Sequence, residues 1–287
     1  MRTRNTSFFA AATCGLLLAA SPATAQTSPR IYNTVKTKLA AGKKVVGGTV
    51  ASSDPEIYCA MANAGFDFTW IEMQHSPLNY HEVATMIRAC KGAPAIPFIR
   101  VPDDSEGDIQ KATDLGALGI ILPMVESVEK VKNAVKFAKY PPIGKRSQGG
   151  GQYGAMWGAD YRQTANDNVM IVAMIESPAG VEIADQIAAV PGVDVVFVAS
   201  TDLSSFSGLK QGDPKYEALV DRIKSAVLKT NVKLAGPHAW INREGYSFFQ
   251  AAGEPSLIKM GAQVALGGQA NLGAPRGVAP TEGSEKH

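Results

Sequence analysis

Apolar residues gather along this chain in short, nearly unbroken runs, and longer stretches of mixed polarity separate them. The runs fall at 45–52 (VVGGTVAS), 68–75, 95–101 (AIPFIRV), 119–125 (GIILPMV), 170–177 (MIVAMIES), 194–200 (DVVFVAS), 232–236 (VKLAG) and 256–260 (SLIKM). All are of strand length, and strands buried on both faces of a parallel sheet read this way. The stretches 55–64, 79–91 and 214–230 carry a helical pattern, and Gly65, Gly92 and Gly116 stand where helices would stop. Eight such alternations predict an α/β chain folded as a (β/α)8 barrel, the TIM barrel. An open doubly wound sheet is the rival, but no G-x-G-x-x-G follows the first strand to support a dinucleotide-binding version.

Two regions interrupt the alternation. Residues 141–168 form a long connection that contains GGGQYG at 149–154, Tyr153 and Trp157. No Lys-Ser/Thr follows the glycines, so this is not a phosphate-binding loop; connections of this length commonly act as lids or binding loops. From Gly261 onward the chain is rich in Gly, Ala and Pro, so the last helix is expected to be degraded or absent. The expected organisation is a barrel over 26–270 and a flexible tail over 271–287.

The first 25 residues change the picture of where the protein works. Arg2 and Arg4 precede an apolar stretch at 8–20, and Ala23-Thr24-Ala25 forms an A-x-A site. That is a secretory signal peptide, with cleavage predicted after Ala25 and export most simply to a periplasm. The rest is near neutral in charge, has no basic block to hold nucleic acid, and has no stretch apolar enough to span a membrane. Cys59 and Cys90 lie in helical stretches without metal-ligand spacing. They read as buried free thiols, with one disulfide as the alternative in an oxidising compartment.

The candidate chemistry sits at strand ends, where barrels of this kind carry their active sites. The second run, WIEMQHSP, finishes on Glu72, Gln74 and His75, poor strand residues that are costly to bury without partners. The third ends at Arg100, the fifth at Glu176, the sixth runs through Ser200 and Thr201 into Asp202, and the seventh is followed by His238. Glu176 and Asp202 suit a hard divalent ion, Mg²⁺ or Mn²⁺, although either alone reads equally as a helix cap. Arg100 suits a carboxylate or keto oxygen. His75 is the candidate general base, since an imidazole can accept and return a proton, with Asp114 as the group that could orient it. His238 is a candidate substrate contact at the rim, while His81 and His287 carry no such expectation.

Taken in order, AGFDFTWIEMQHSP, PFIRVP, DLGALGIILPMV, YPPIGKRS, MIESPAG and PGVDVVFVASTDLS resemble the metal-dependent class II aldolases of the HpcH/HpaI type, within the citrate lyase and malyl-CoA lyase superfamily. The resemblance implies reversible aldol cleavage of a 4-hydroxy-2-oxo acid to pyruvate, or another 2-oxo acid, and an aldehyde. It implies a divalent ion (Mg²⁺, Mn²⁺ or Co²⁺) on Glu176 and Asp202, and Arg100 facing the developing enolate. His75 paired with Asp114 would manage the proton of the 4-hydroxyl. Glu72 and Gln74 would support the ion from behind, and Gln74, Ser200, Thr201 and His238 would contact substrate. Relatives of this type also imply a homo-oligomer, a trimer or hexamer.

The chain departs from the family pattern at Gln74, where a Glu is usual, and at Met174, where a Gln is usual. Two further readings follow. One is an exported lyase of the same superfamily with altered substrate and chemistry, its loop aromatics Tyr153, Trp157 and Trp240 stacking on a ring. The other is a periplasmic binding protein without catalysis, against which the retained His75, Arg100, Asp114, Glu176 and Asp202 argue.

Overall fold

The computed structural model describes residues 29–269 of the chain. The signal peptide and the tail over 271–287 lie outside the described residues. Eight parallel strands close into a barrel in sequence order: β1 (Val45–Val50), β2 (Phe68–Glu72), β3 (Ile96–Arg100), β4 (Gly119–Leu122), β5 (Met170–Ile175), β6 (Val195–Val198), β7 (Lys233–Pro237) and β8 (Tyr246–Gly253). Six strands fall inside the runs read from sequence, and β7 overruns its run by one residue. The helices Pro55–Asn63, Tyr80–Ala89 and Pro214–Val227 occupy the three helical stretches. Gly65, Gly92 and Gly116 follow helices with φ of +100°, +86° and +97°, a region that a side chain would strain.

The interior is stacked in layers set by the two-residue alternation of each strand. Phe68, Phe98 and Phe248 pack together low in the barrel, with Phe68 and Phe248 centroids 4.4 Å apart. Gly47 and Gly119 make room for them, because a Cβ at either would stand 2.0 Å from the Phe68 or Phe98 ring. One step up β2, Trp70 meets Phe197 of β6 at 5.2 Å. The next step on β2 and β3 reaches Glu72 and Arg100, which the register pairs directly. The apolar filling thus ends where the polar residues begin.

Four expectations are corrected. The run 256–260 is not a strand: it lies within the helix Glu254–Ala265, and the eighth strand is the aromatic segment before it. A short apolar run does not by itself separate strand from helix, and Pro255 at the helix start was the deciding signal. The last helix is therefore present, twelve residues long. It is tied to the end of β1 by Glu254, whose Oε1 accepts from the backbone N–H groups of Ala51 and Ser52.

The long connection is no lid over this chain's own strand ends. It joins the helix Val128–Ala138 to the start of β5, which puts it at the opposite pole of the barrel. Its aromatics are already engaged: Tyr153 stacks on Tyr161, and Trp157 stacks on Tyr32 and donates to the Gly116 carbonyl. Trp240 is buried edge-on against Tyr246. Finally, Cys59 and Cys90 are joined in a disulfide, Cα atoms 5.3 Å apart, rather than standing as free thiols. The bridge closes a segment that contains β2 and the whole EMQH turn.

Candidate active site

Arg100 is the hub. Its Nη1 donates to Glu72 Oε2 and its Nη2 to Glu176 Oε1, each at 3.2 Å. The three side chains are buried, with residue exposures of 6%, 7% and 1%. A guanidinium between two carboxylates makes charge-assisted bonds that satisfy groups otherwise expensive to bury. Arg100 Nε is buried with no partner among the described residues, which leaves this donor of the fork for a ligand oxygen.

Glu72 organises the turn that follows β2. Its Oε1 accepts from the backbone N–H groups of Gln74 at 2.9 Å and His75 at 3.1 Å. Its Oε2 accepts from Trp70 Nε1 at 3.3 Å and from Arg100. A carboxylate has about four acceptor positions, so Glu72 is saturated and serves to hold the strand end. Ser76 Oγ adds a bond to the Glu72 carbonyl, and Asn79 starts the next helix with a capping box completed by Glu82. His75 is presented from this pinned turn, exposed to solvent. Gln74 Oε1 is buried and has no partner among the described residues.

Glu176 follows β5, and its Oε2 accepts from the Met124 backbone N–H at 3.2 Å. Met124, just past β4, is the one non-glycine residue with positive φ (50°) among the described residues. Backbone held in that sparsely populated region is characteristic of sites whose surroundings over-determine it. Burial pushes the Glu176 carboxyl up to about 7; Arg100 opposes the rise and the charge of Asp202 adds to it. Asp202 lies in the first turn of the helix Ser200–Ser207. A cavity of about 100 Å³ opens here, lined by Arg100, Met174, Phe197, Ser200, Thr201, Asp202, Pro237 and Gln250.

The structure thus brings together Glu72, Gln74, His75, Arg100, Glu176, Ser200, Thr201 and Asp202 at the strand ends. His238 begins a short 3₁₀ turn just after β7, beside the lining residue Pro237. Asp114 is elsewhere. It ends the helix Glu106–Asp114 on the approach to β4, at the far pole, where its carboxylate accepts from Arg146 Nη2 at 2.7 Å. It does not orient His75 within this chain. Arg146 also donates to Tyr161 and lies over the rings of Tyr140 and Tyr153, so Asp114 belongs to a packed cluster beneath the barrel.

Two contributors escaped the reading of the sequence. Gln250 belongs to β8, which was placed in the wrong segment; the run FFQ, with aromatics before a polar residue, was the available signal. Met124 contributes through its backbone, which no side-chain pattern reveals.

The donor set fits a divalent ion in one respect that the structure itself displays. The charge of Asp202 disfavours ionisation of the Glu176 carboxyl, and a cation held there would relieve that repulsion. Among the described residues no group of three His, Cys, Asp or Glu side chains could enclose an ion. Magnesium, however, is commonly held by one or two carboxylates, with waters and substrate oxygens completing its shell.

The sequence profile of the HpcH/HpaI aldolase/citrate lyase family matches residues 49–246. A hydroxypyruvate/pyruvate aldolase from Roseovarius nubinhibens is 32% identical over 74% of this chain and 83% of its own length. A 5-keto-4-deoxy-D-glucarate aldolase from Shigella boydii is 34% identical over 63% of this chain and 71% of its own. Among solved structures, an HpcH/HpaI aldolase/citrate lyase family protein from Burkholderia cenocepacia superposes with a TM-score of 0.74 at 29% identity. The match covers 82% of this chain and 98% of that one. A more distant citrate lyase β subunit from M. tuberculosis, solved with oxaloacetate and magnesium, shares the barrel at 14% identity, a TM-score of 0.50 and coverage of 77% and 96%. No helix among the described residues is long and apolar enough to cross a membrane. With a closed eightfold barrel and charged residues gathered at its strand ends, the chain belongs to the HpcH/HpaI aldolase/citrate lyase family and is a class II aldolase, a carbon–carbon lyase.

Proposed function

We propose that this enzyme cleaves a 4-hydroxy-2-oxo acid reversibly into pyruvate, or a closely related 2-oxo acid, and an aldehyde. The observation that carries the reading is Arg100, buried between Glu72 and Glu176 with its Nε unmatched at the edge of a small cavity. Cleavage of the bond between the third and fourth carbons leaves the electron pair on the 2-oxo acid as an enolate. Arg100, fixed before the reaction starts, places positive charge where that negative charge develops. Glu176 and Asp202 would hold a divalent ion, which when bound would polarise the oxygens of the 2-oxo acid.

His75 takes the proton of the 4-hydroxyl as the aldehyde forms and returns one in the reverse direction. Glu72 sets its place by gripping the turn's backbone. Ser200 and Thr201 contact the acid from the wall of the cavity, and His238, which follows the lining residue Pro237, and Gln74, which follows β2, are the further candidate contacts. Met174 leaves an apolar patch where the family pattern has an amide, so the recognition of substrate differs there.

The Cys59–Cys90 disulfide and the leader pattern together support function outside the cytosol, because such bridges persist in oxidising compartments. A homo-oligomer, trimer or hexamer, belongs to the same proposal. Pyruvate release from 4-hydroxy-2-oxo acids, measured with Mg²⁺ or Mn²⁺ and with EDTA, tests the reading. Release should require metal and disappear in Glu176→Ala and Asp202→Ala; undiminished turnover in both variants would defeat the metal assignment.

A further inference from the structure

The chain leaving β4 is locked onto the chain leaving β5, and the aldolase reading leaves that lock unexplained. The Val125 N–H donates to the Met174 carbonyl at 3.1 Å. Ser177 Oγ donates to Glu126 Oε1 at 2.5 Å. Gly180 lets the two segments approach, because a Cβ there would stand 2.6 Å from the Val125 carbonyl oxygen. Pro123 and Met124 lie between Val125 and Leu122, the last paired residue of β4, which stands opposite Ala173. On β5 the same interval is a single step, from Ala173 to Met174. The surplus chain has to turn out of the ladder.

Pro123 cannot supply that turn alone, since its ring holds φ near about −65°. The change of direction falls on Met124, whose φ is 50°. Proline followed by a left-handed residue is the order of a type II turn, in which Gly or Asn is the usual second residue. A Met in that place stays there because its surroundings over-determine it, and the anchors on either side are those surroundings.

The product of the turn is one aimed donor. The Met124 N–H meets Glu176 Oε2 at 3.2 Å, while Oε1 accepts from Arg100 Nη2 at 3.2 Å. The last torsion of a Glu side chain is broad, so a bond at one oxygen alone would leave the carboxylate free to swing. Held at both, it has one orientation, and each oxygen keeps a lone pair for a further partner.

We infer that Met124 is a positioning residue for the cation site: its left-handed backbone aims an N–H at Glu176 Oε2 and fixes the carboxylate that would hold a divalent ion. The inference rests on the metal-dependent aldolase reading and adds what prepares the ligand before a cation arrives. The φ angle of Met124 carries this role and its side chain does not. Loss of a hydrogen-bonding partner behind a metal ligand typically lowers metal affinity by about 10–100-fold.

The test titrates the metal-free protein with Mn²⁺ and follows the free ion by electron paramagnetic resonance. Met124→Gly and Met124→Asn keep the N–H and favour the left-handed region, whereas a β-branched residue, as in Met124→Val, is strained there. The Gly and Asn variants should bind Mn²⁺ within about threefold of wild type, and Met124→Val should bind about tenfold or more weakly. Circular dichroism of the metal-free forms establishes that each variant is folded. Where Met124→Val is not, the decision passes to Glu126→Ala, an exposed position, which frees the chain after Met124 and should weaken binding severalfold. A loss in the Gly and Asn variants as large as in Met124→Val assigns the effect to the side chain and overturns the inference. Wild-type affinity in Met124→Val, or in Glu126→Ala where that variant decides, overturns it too. Both results leave the metal-dependent aldolase standing, because the wild type still binds the ion. A wild type that binds no Mn²⁺ overturns the metal reading, and the inference with it.

Discussion

Breaking the bridge between Cys59 and Cys90 should loosen the part of the barrel that presents Glu72 and His75. The bridge spans 31 residues of sequence, from the helix Pro55–Asn63 through β2 to the end of the helix Tyr80–Ala89. The chain-entropy relation puts closure of a segment of that length at about 3.7 kcal/mol of stability. For a domain of this size each kcal/mol moves Tm by roughly 2–4 °C, which places the expected loss between about 7 and 15 °C. The two helices also pack side by side, and that packing acts in the other direction by keeping reduced thiols near one another. Thermal unfolding followed by circular dichroism would compare the oxidised protein, the protein in excess phosphine reductant, and the double variant Cys59→Ser/Cys90→Ser. Free-thiol titration confirms the redox state of each sample. Reduction and double substitution should lower Tm by similar amounts. A Tm that stays within about 2 °C after complete reduction would show that the bridge contributes little, and would weaken the case for function in an oxidising compartment.

Glu176 should make the metal-free protein less stable as pH rises. Its folded pKa of about 7 lies above the ordinary 4.5, so the folded state holds an extra proton between those values and stability falls across that window. By pH 8 the cost is about 3 kcal/mol. Glu176→Gln should raise the urea midpoint at pH 8, have little effect at pH 4.5, and abolish turnover; a variant less stable at pH 8 contradicts this. Arg100→Lys keeps the charge but not the fork between Glu72 and Glu176, and kcat should fall about 10²–10³-fold in steady-state assays. His75→Ala should slow aldol cleavage far more than exchange of pyruvate protons. Equal losses in both assays would make His75 an organiser of the site.

Much of the barrel was legible because each buried strand is a dense apolar run, and because glycines of positive φ close the helices between them. β8 was lost for a physical reason: YSFFQAAG mixes aromatics with small residues, while SLIKM resembles a strand until Pro255 is weighed as a helix start. Glu72, Arg100 and Glu176 could be named from position alone, since each stands one alternation beyond a buried apolar side chain. Their division of labour could not. Saturation of Glu72 depends on two backbone N–H groups and on Trp70, and the distance of Asp114 from His75 depends on which end of its helix the barrel places uppermost. A motif fixes residue types in order, whereas the pole of the barrel at which a residue stands follows from strand direction.

Deuterium exchange into the methyl group of pyruvate, followed by proton NMR, tests the central claim most directly. It asks whether the site forms the enolate of a 2-oxo acid without needing to know the aldehyde. The mature protein with Mn²⁺ or Mg²⁺ should catalyse exchange, and EDTA, Glu176→Ala and Arg100→Lys should each suppress it. Absence of exchange from the metal-loaded wild type would contradict pyruvate as the 2-oxo acid of this enzyme. Exchange that persists in EDTA would contradict the role assigned to Glu176 and Asp202.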